Sequence, residues 1–493
     1  MANSRQVLVV GGGNAALCAA ISAAEHGARV TLLERAPEAA AGGNSRFTAG
    51  AMRVVYNSAD DLRRLMPDLS DAEIARTDFG AYPREAFFDD LGRVTQYRTD
   101  PELAETLIDE SYPTLLWMRK HGVRFLPIYG RQSFEVDGRI RFWGGLTVEA
   151  WGGGPGLVDG LTDIARQGGV NILYEARATA LLETQGRVSG VRLRHQHLED
   201  EYHADAVVLA CGGFESSATW RTRYLGPGWD LARVRGTRFN TGDGIQMALD
   251  AGAAPRGHWS GCHAVAWDLN APEYGDLAVG DGFQKHSYPL GILVNNDGRR
   301  FVDEGADFRN YTYAKYGGEI LKQPQQCAWQ VFDASVSPML RDEYRIREVT
   351  RVSADTIDAL AAKMDGMNAD AFVATVREFN AAVNTGVGFD PTVKDGRATQ
   401  GLAVPKSNWA NRLETPPFEA YGVTCGITFT FGGLHVNSDA QVVSQADAPI
   451  PGLFAAGELM GGLFYFNYPG GTGLTSGAVF GRIAGRQAAT GDL

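Results

Sequence analysis

The stretch VVGGGNAALCAA, with an acid closing the next apolar run, constrains this chain more than any other feature. Residues 6–10 are apolar and short, as in a buried strand. Gly11-x-Gly13-x-x-Ala16 follows, and residues 14–26 continue in small and apolar types without proline, as in a buried helix. Gly27 ends that run, and residues 28–34, ARVTLLE, predict a second buried strand ending in Glu34. This is a βαβ unit with a glycine-rich first turn. The first glycine permits the tight turn, and the second lets backbone N–H groups approach a pyrophosphate. The small third residue lets helix and sheet pack closely. The helix N-terminus stabilises phosphate charge. Glu34 can accept hydrogen bonds from a ribose 2′-hydroxyl and would repel a 2′-phosphate. These residues predict a dinucleotide site, without separating a flavin from a nicotinamide.

Strands are expected at residues 171–174, 187–193 and 205–210, the last ending in Cys211-Gly212-Gly213. Thr241-Gly242-Asp243-Gly244 lead into a helix. Residues 452–458, GLFAAGE, form a strand running into a turn, and residues 471–489 form a glycine-opened helix of small residues. The middle of the chain is richer in aromatics, among them Trp259, Trp267, Tyr311, Tyr313 and Trp329. It holds an expected hairpin over residues 291–304 with Asn296-Asp297-Gly298 at its turn, and helices near 354–364 and 369–384. The resulting division is residues 1–257, then an inserted unit at 258–429, then a return to the first domain at 430–493. The fold class is α/β: a Rossmann-like domain split by an inserted α+β cap.

At 493 residues the chain is long enough for two or three domains. A net charge of −12 with no Lys/Arg run argues against nucleic acid as a partner. The five cysteines, Cys18, Cys211, Cys262, Cys327 and Cys425, are scattered and form no CxxC pair. That disfavours a disulfide framework or a zinc site and fits a reducing, cytoplasmic setting. No apolar run reaches the ~18 residues of a membrane span.

Several motifs occur in a fixed order: VVGGGNAALCAA, GGNSRFTAGAMR, LACGGFE, TGDGIQMA, GLFAAGE and NYPGGTGLTSGAVFGRIAG. Together they resemble the flavoprotein family of fumarate reductases and succinate dehydrogenases, which includes the ketosteroid dehydrogenases. The resemblance covers nearly the whole chain and implies FAD as cofactor. It implies that Gly43, Asn44, Ser45 and Thr48 line the flavin, and that Asp243 and Glu458 bind other parts of FAD. The helix from Leu474 points its positive end at the flavin, where it would stabilise the anionic reduced ring. Further expected FAD contacts are Asn14, Ala15, Arg35, Ala49, Gly50, Ala178, Ala210, Cys211, Gly212, Gly457, Gly473 and Thr475, beside Gly11, Gly13, Ala16 and Glu34. Members that attach FAD covalently use a histidine beside GG-x-S. Here the stretch reads GGNSRFTAG, so the cofactor is expected to be dissociable.

Dehydrogenation of a C–C bond sends a hydride to flavin N5 and a proton to a base, under a cap that excludes water. The resemblance implies Arg309, in RRFVDEGADFRNYTYAKYG, as the proton-exchanging residue. Arginine is a poor base without a relay, and Asp303, Glu304 and Asp307 are the nearby acids. Tyr311 is the rival acid/base. His263 falls where the family has a substrate-binding histidine. The family's HTMGG reads FTFGG here, so Phe429 replaces a carboxylate-binding histidine. NRLGG reads NYPGG, so Tyr468 replaces a carboxylate-clamping arginine and can donate a hydrogen bond as in ketosteroid dehydrogenases. GGNSRFTAGAMR, the Arg309 stretch and GGLFYFNYPGGTGL resemble the tricarballylate dehydrogenase branch. That branch oxidises tricarballylate to cis-aconitate and passes its electrons to a separate membrane-linked partner. Three carboxylates would then require cations, with Arg309, His263, Lys285, His286, Arg53 and Arg141 as candidates. Two alternatives stand within the class, a ketosteroid-dehydrogenase-like and a fumarate- or enoate-reductase-like enzyme. A flavin electron-transfer subunit is the alternative from another class. A cation-lined pocket favours the acid substrate, and an apolar one with paired tyrosines favours the ketone.

Overall fold

Six strands form the central sheet, in the order Gln441–Val443, Pro449–Ala455, Ala206–Leu209, Gln6–Val10, Arg29–Leu33 and Asn171–Leu173. The computed structural model describes residues 4–195 and 198–491. The first strand pairs in parallel with both neighbours, Val7 opposite Ala206 and Val30. Val7, Leu8, Val9 and Val10 are all buried. Both faces of the strand are covered, which is why its sequence is continuously apolar rather than alternating. Helices Asn14–Glu25 and Thr472–Thr490 pack against each other over this sheet. A Cβ on Gly481 or Gly485 would overlap the carbonyl oxygen of Ala15 or Ala19. The small-residue pattern of the last helix is therefore a requirement of backbone-to-backbone approach.

The cap is built on the 17-residue strand Phe418–Leu434. It pairs antiparallel with Pro255–Asp268, Ala328–Phe332 and Arg351–Ala354, and in parallel with Arg233–Val234. The two chain crossings expected at 257/258 and 429/430 lie inside this ladder, where His258 sits opposite Phe431 and His263 opposite Phe429. One continuous ribbon thus runs from the cap into the dinucleotide domain, and its two strands carry His263 and Phe429 to the junction.

Three local expectations change. The Asn296-Asp297-Gly298 turn forms, with Gly298 N–H donating to the Asn295 carbonyl. Its returning arm, however, makes only an isolated bridge at Val294–Arg300, and Ile292–Asn295 pairs instead with Ala328–Phe332. The helix expected near 354–364 shortens to Ile357–Ala361, because Thr356 caps it by accepting from Ala359 N–H at 3.1 Å. Residues 351–354 before it join the sheet. Residues 133–142, unassigned from the sequence, form a hairpin of Ser133–Val136 and Arg139–Phe142. The residues flanking it reach the cap, where Trp143 stacks on Phe308 with ring centroids 5.5 Å apart. Among the described residues no helix is long and apolar enough to cross a membrane.

Candidate active site

Gly11 adopts φ +120°, and a Cβ there would overlap the carbonyl oxygen of Ala210 at the end of the neighbouring strand. Only glycine lets these two strand ends approach so closely. Gly13 precedes helix Asn14–Glu25, which has no side-chain cap and no acid in its first turn. Helix Thr472–Thr490 opens in the same way after Gly471, at φ +84°. Two helix N-termini without side-chain caps therefore open onto one cleft, and both favour negative charge there. Asn14 ties them together by donating Nδ2–H to the Leu474 carbonyl at 2.8 Å, while its backbone N–H donates to Ser45 Oγ at 3.0 Å.

The cleft holds about 1880 Å³, open space at its mouth included. Its lining runs from the glycine-rich turn of the first strand to Arg309 and Tyr313 of the cap. Gly11, Gly13, Asn14, Ala15, Glu34 and Arg35 line it. So do Gly43, Asn44, Ser45, Thr48, Ala49, Ala178, Ala210, Cys211, Gly212, Asp243, Gly457, Glu458, Gly473 and Leu474. Three residues expected beside the cofactor do not line it. Ala16 is fully buried between helix and sheet. Gly50 packs on the Gly153 backbone. Thr475 points inward, donating to the Arg53 carbonyl at 2.8 Å.

Glu34 accepts from Ala36 N–H at 2.6 Å, and burial pushes its pKa up to about 7 despite that bond and the neighbouring Arg35. Asp243 is already held by Arg35 at 3.1 Å and Arg177 at 2.8 Å, so its contribution at the cleft wall is shared with two guanidinium groups. Glu458 accepts from Thr430 N–H at 2.8 Å. Burial raises both its carboxyl and that of Glu215, and the charge of Glu458 raises Glu215 further. Asn44 and Asn240 each donate to Glu215 Oε1 at 2.7 Å.

The cap end of the cleft carries the reactive groups. Arg309 sits on a short turn, Arg309–Tyr311. Its guanidinium meets His286 Nδ1 at 3.1 Å and donates to the Arg131 carbonyl at 3.1 Å. It lies 5.5 Å from the Trp143 ring centre and 5.8 Å from that of Tyr313. Burial lowers its pKa, with the charge of Glu343 opposing, which brings the group closer to proton exchange than an exposed arginine. The sequence-proposed relay is not formed. Asp303 bonds Ser407, Glu304 bonds Arg300, and Asp307 pairs with Arg93 and Lys394.

Tyr311 is likewise displaced from its expected role. It does not line the cleft, and its hydroxyl donates to Asp90 and the Gly144 carbonyl. Tyr313, two residues on at the start of helix Tyr313–Leu321, lines it instead, as does Asn310. The Tyr313 hydroxyl hydrogen-bonds that of Tyr468. His263 packs edge-on to Tyr313 and Phe429, with centroids 4.9 and 5.1 Å away, and neither ring nitrogen has a protein partner. His286 Nε2 also lacks one. Burial lowers both imidazoles well below their usual range, so both are neutral near pH 7.

Among the other proposed cations, Lys285 lies behind the wall, bonded to the Gly282, Phe283 and Gln284 carbonyls and 3.6 Å from Asp268. Arg53 does not line the cleft and donates to the Gly470 and Gly144 carbonyls, each at 2.9 Å, and Arg141 stays on the hairpin. At the cap end the wall carries Arg131, Arg235 and Arg309 beside Asp281, Gln132, Gln284 and the two histidines, while Arg35 and Arg177 line the cleft at Asp243. Arg131 and Arg235 carry no motif in the sequence. Arg131 sits in a short turn, Tyr129–Gln132, and Arg235 directly follows the two-residue strand Arg233–Val234, and only folding brings them together.

Glu149, whose charge acts on Arg131, supplies a stability test. Burial pushes its carboxyl up to about 7, only partly opposed by Arg131. A carboxyl raised in the fold favours folding while protonated, and that contribution is lost as pH rises from about 4.5 through 7. Glu149→Gln should therefore raise the apparent Tm at pH 8 and leave it nearly unchanged at pH 4.5. The expected gain is on the order of 2 kcal/mol, read from thermal melts across that range.

A split Rossmann-like domain, two helix N-termini on one long cleft and a cap closing its end define a dinucleotide-dependent enzyme. The chain belongs to the FAD binding domain family, matching it over residues 6–474. It is 29% identical over 98% of its length to a probable fumarate reductase of Shewanella frigidimarina, covering 74% of that protein. The fold matches the open conformation of a flavocytochrome c3 fumarate reductase at TM-score 0.73 and 28% identity, over 99% of this chain and 78% of that one. It also matches a 3-ketosteroid Δ1-dehydrogenase of Sterolibacterium denitrificans at TM-score 0.74 and 20% identity, over 99% and 100% of the two chains. The protein is thus an FAD-dependent oxidoreductase with a capping domain. The glycine cradle, the acid at Glu34 and the two helix termini fit that cofactor.

Proposed function

We propose that the enzyme oxidises or reduces the C–C bond adjacent to the carboxylates of a small polycarboxylic acid, with tricarballylate to cis-aconitate as the reaction to test first. The observation carrying this reading is the convergence of Arg131, Arg235 and Arg309 at one wall of the cleft, at the cap end. Guanidinium forks match carboxylate geometry, and buried ones recognise anions strongly. Residues 258–429 act in this reading as the cap that brings Arg309 over the substrate.

FAD, bound without a covalent link, supplies the hydride acceptor or donor. Arg309 exchanges the proton at the neighbouring carbon, with His286 Nδ1 positioning its guanidinium. The paired Tyr313 and Tyr468 hydroxyls offer a donor to a substrate oxygen. His263, neutral and with free ring nitrogens, offers another. Five scattered thiols support a reducing, cytoplasmic setting, and a separate redox protein reoxidises the flavin.

The tyrosine pair supports a second reading, polarisation of a ketone as in a steroid dehydrogenase. Anaerobic addition of tricarballylate to the yellow holoenzyme separates the two. Loss of the visible flavin band with cis-aconitate formed supports the acid. Bleaching by a 3-ketosteroid alone supports the ketone. A flavin that neither reduces, and that neither fumarate nor cis-aconitate reoxidises, would point to an electron-transfer subunit. Tyr468→Phe should lower kcat by about 10²-fold if the hydroxyl polarises or protonates substrate, with FAD content unchanged, as read from steady-state rates and the visible spectrum.

A further inference from the structure

The carboxylate of Asp281 lies within the wall of three arginines. Its Oδ1 takes Arg235 at 2.6 Å through Nη2 and at 3.0 Å through Nε, and its Oδ2 takes Arg131 at 3.0 Å. Gln284 Nε2 adds a bond to Oδ2. The side chains of Asp281 and Arg235 are each only 7% exposed, so these charges interact with little screening by water. We infer that Asp281 is a specificity-determining residue: it orients Arg131 and Arg235 and cancels one of the three wall charges, so that the cleft is matched to two substrate carboxylates.

The charge count supports this. Arg131, Arg235 and Arg309 supply three positive charges and Asp281 one negative, while His263 and His286 are neutral. Behind the wall, Lys285 faces Asp268, Asp342 faces Arg345, and Glu343 and Glu149 act on Arg131, Glu343 also on Arg309 and Arg341. With Glu149 protonated, or replaced by glutamine, these outer groups offset one another and leave two wall charges uncompensated. A dianion neutralises the site. A monoanion leaves a cation at the wall unpaired, which is costly where water is partly excluded, and the third carboxylate of a trianion needs a partner off this wall. The inference rests on the polycarboxylate reading and deepens it: two carboxylates of the substrate are held by arginine, and any third lies off this wall.

Acetate, malonate and citrate test it at pH 8 in the Glu149→Gln background, which removes the one outer charge left over at that pH. They carry one, two and three carboxylates, and none has the adjacent C–H pair needed for dehydrogenation. Their Kd values are read from perturbation of the oxidised flavin spectrum of the holoenzyme. Malonate should bind this parent more tightly than acetate. Asp281→Asn should shift the malonate-to-citrate affinity ratio toward citrate by tenfold or more. Arg131→Gln should shift preference the other way, toward acetate. Asp281→Glu keeps the charge, so it should weaken all three acids while preserving their order. Should Asp281→Asn fail to hold flavin, Arg131→Gln and Asp281→Glu still decide the matter. Acids that bind with the same ratio in this parent and in the charge-changing variants would overturn the role of Asp281 alone. Failure of every acid to perturb the flavin of the parent would remove the polycarboxylate reading and this inference with it.

Discussion

Replacing Arg309 with alanine should lower kcat on the true substrate by about 10³-fold, within the range by which positioned acid–base groups accelerate reactions, while the protein stays yellow. The guanidinium is half-buried at the cap end of the cleft and is held from two sides by His286 and the Arg131 carbonyl. Truncation removes both the proton carrier and one of three cations at the wall. The FAD cradle is built from other elements and keeps its geometry. A lost cation alone would appear chiefly in KM, and a lost proton carrier in kcat. Arg309→Lys separates the two. Lysine keeps the charge but not the fork between His286 and the Arg131 carbonyl, so KM should recover more than kcat. Turnover in Arg309→Ala within a few fold of wild type would remove this residue from the chemistry, and Tyr313–Tyr468 would be the next pair to examine.

Gly11→Val should yield colourless protein, with FAD affinity reduced by more than about 100-fold. Two penalties coincide at this position. A φ of +120° is strained for any residue with a Cβ, and more so for a β-branched one. The new side chain would also overlap the Ala210 carbonyl oxygen, which belongs to the backbone and cannot rotate aside. Relief requires the ends of two paired central strands to separate, which misplaces the helix N-terminus that faces the pyrophosphate. The measurement is the ratio of protein to flavin absorbance after purification with added FAD, together with a thermal melt of the apoprotein. A stoichiometrically yellow variant would show that the cradle tolerates the displacement. Gly27→Val makes a useful control. That glycine also has positive φ, at +87°, but a Cβ there meets nothing within 4 Å. Its cost should therefore appear in stability and not in FAD content.

The cofactor half of the site was legible in the sequence because it is assembled from local elements. Gly11, Gly13 and Glu34 belong to one βαβ unit whose periodicity and turn chemistry are written in consecutive residues. The small residues of the last helix likewise record a contact that only glycine and alanine permit. The substrate half resisted reading for the opposite reason. Tyr311 and Tyr313 are two residues apart on one short segment, and only the tertiary placement of that turn sends the first to Asp90 and the second into the cleft. Asp303, Glu304 and Asp307 are close to Arg309 along the chain, yet each is engaged elsewhere. Glu343, far along the chain, is the acid whose charge most opposes the lowering of its pKa.

By itself, then, the sequence determined the βαβ unit, its dinucleotide chemistry and the class of fold, since hydrophobic period and glycine position act over a few residues. Tertiary structure alone decided which cations line the cap end of the cleft. Arg131, Arg235 and Asp281 come from three segments without a motif, and a charge acquires its role from the burial and partners that folding supplies.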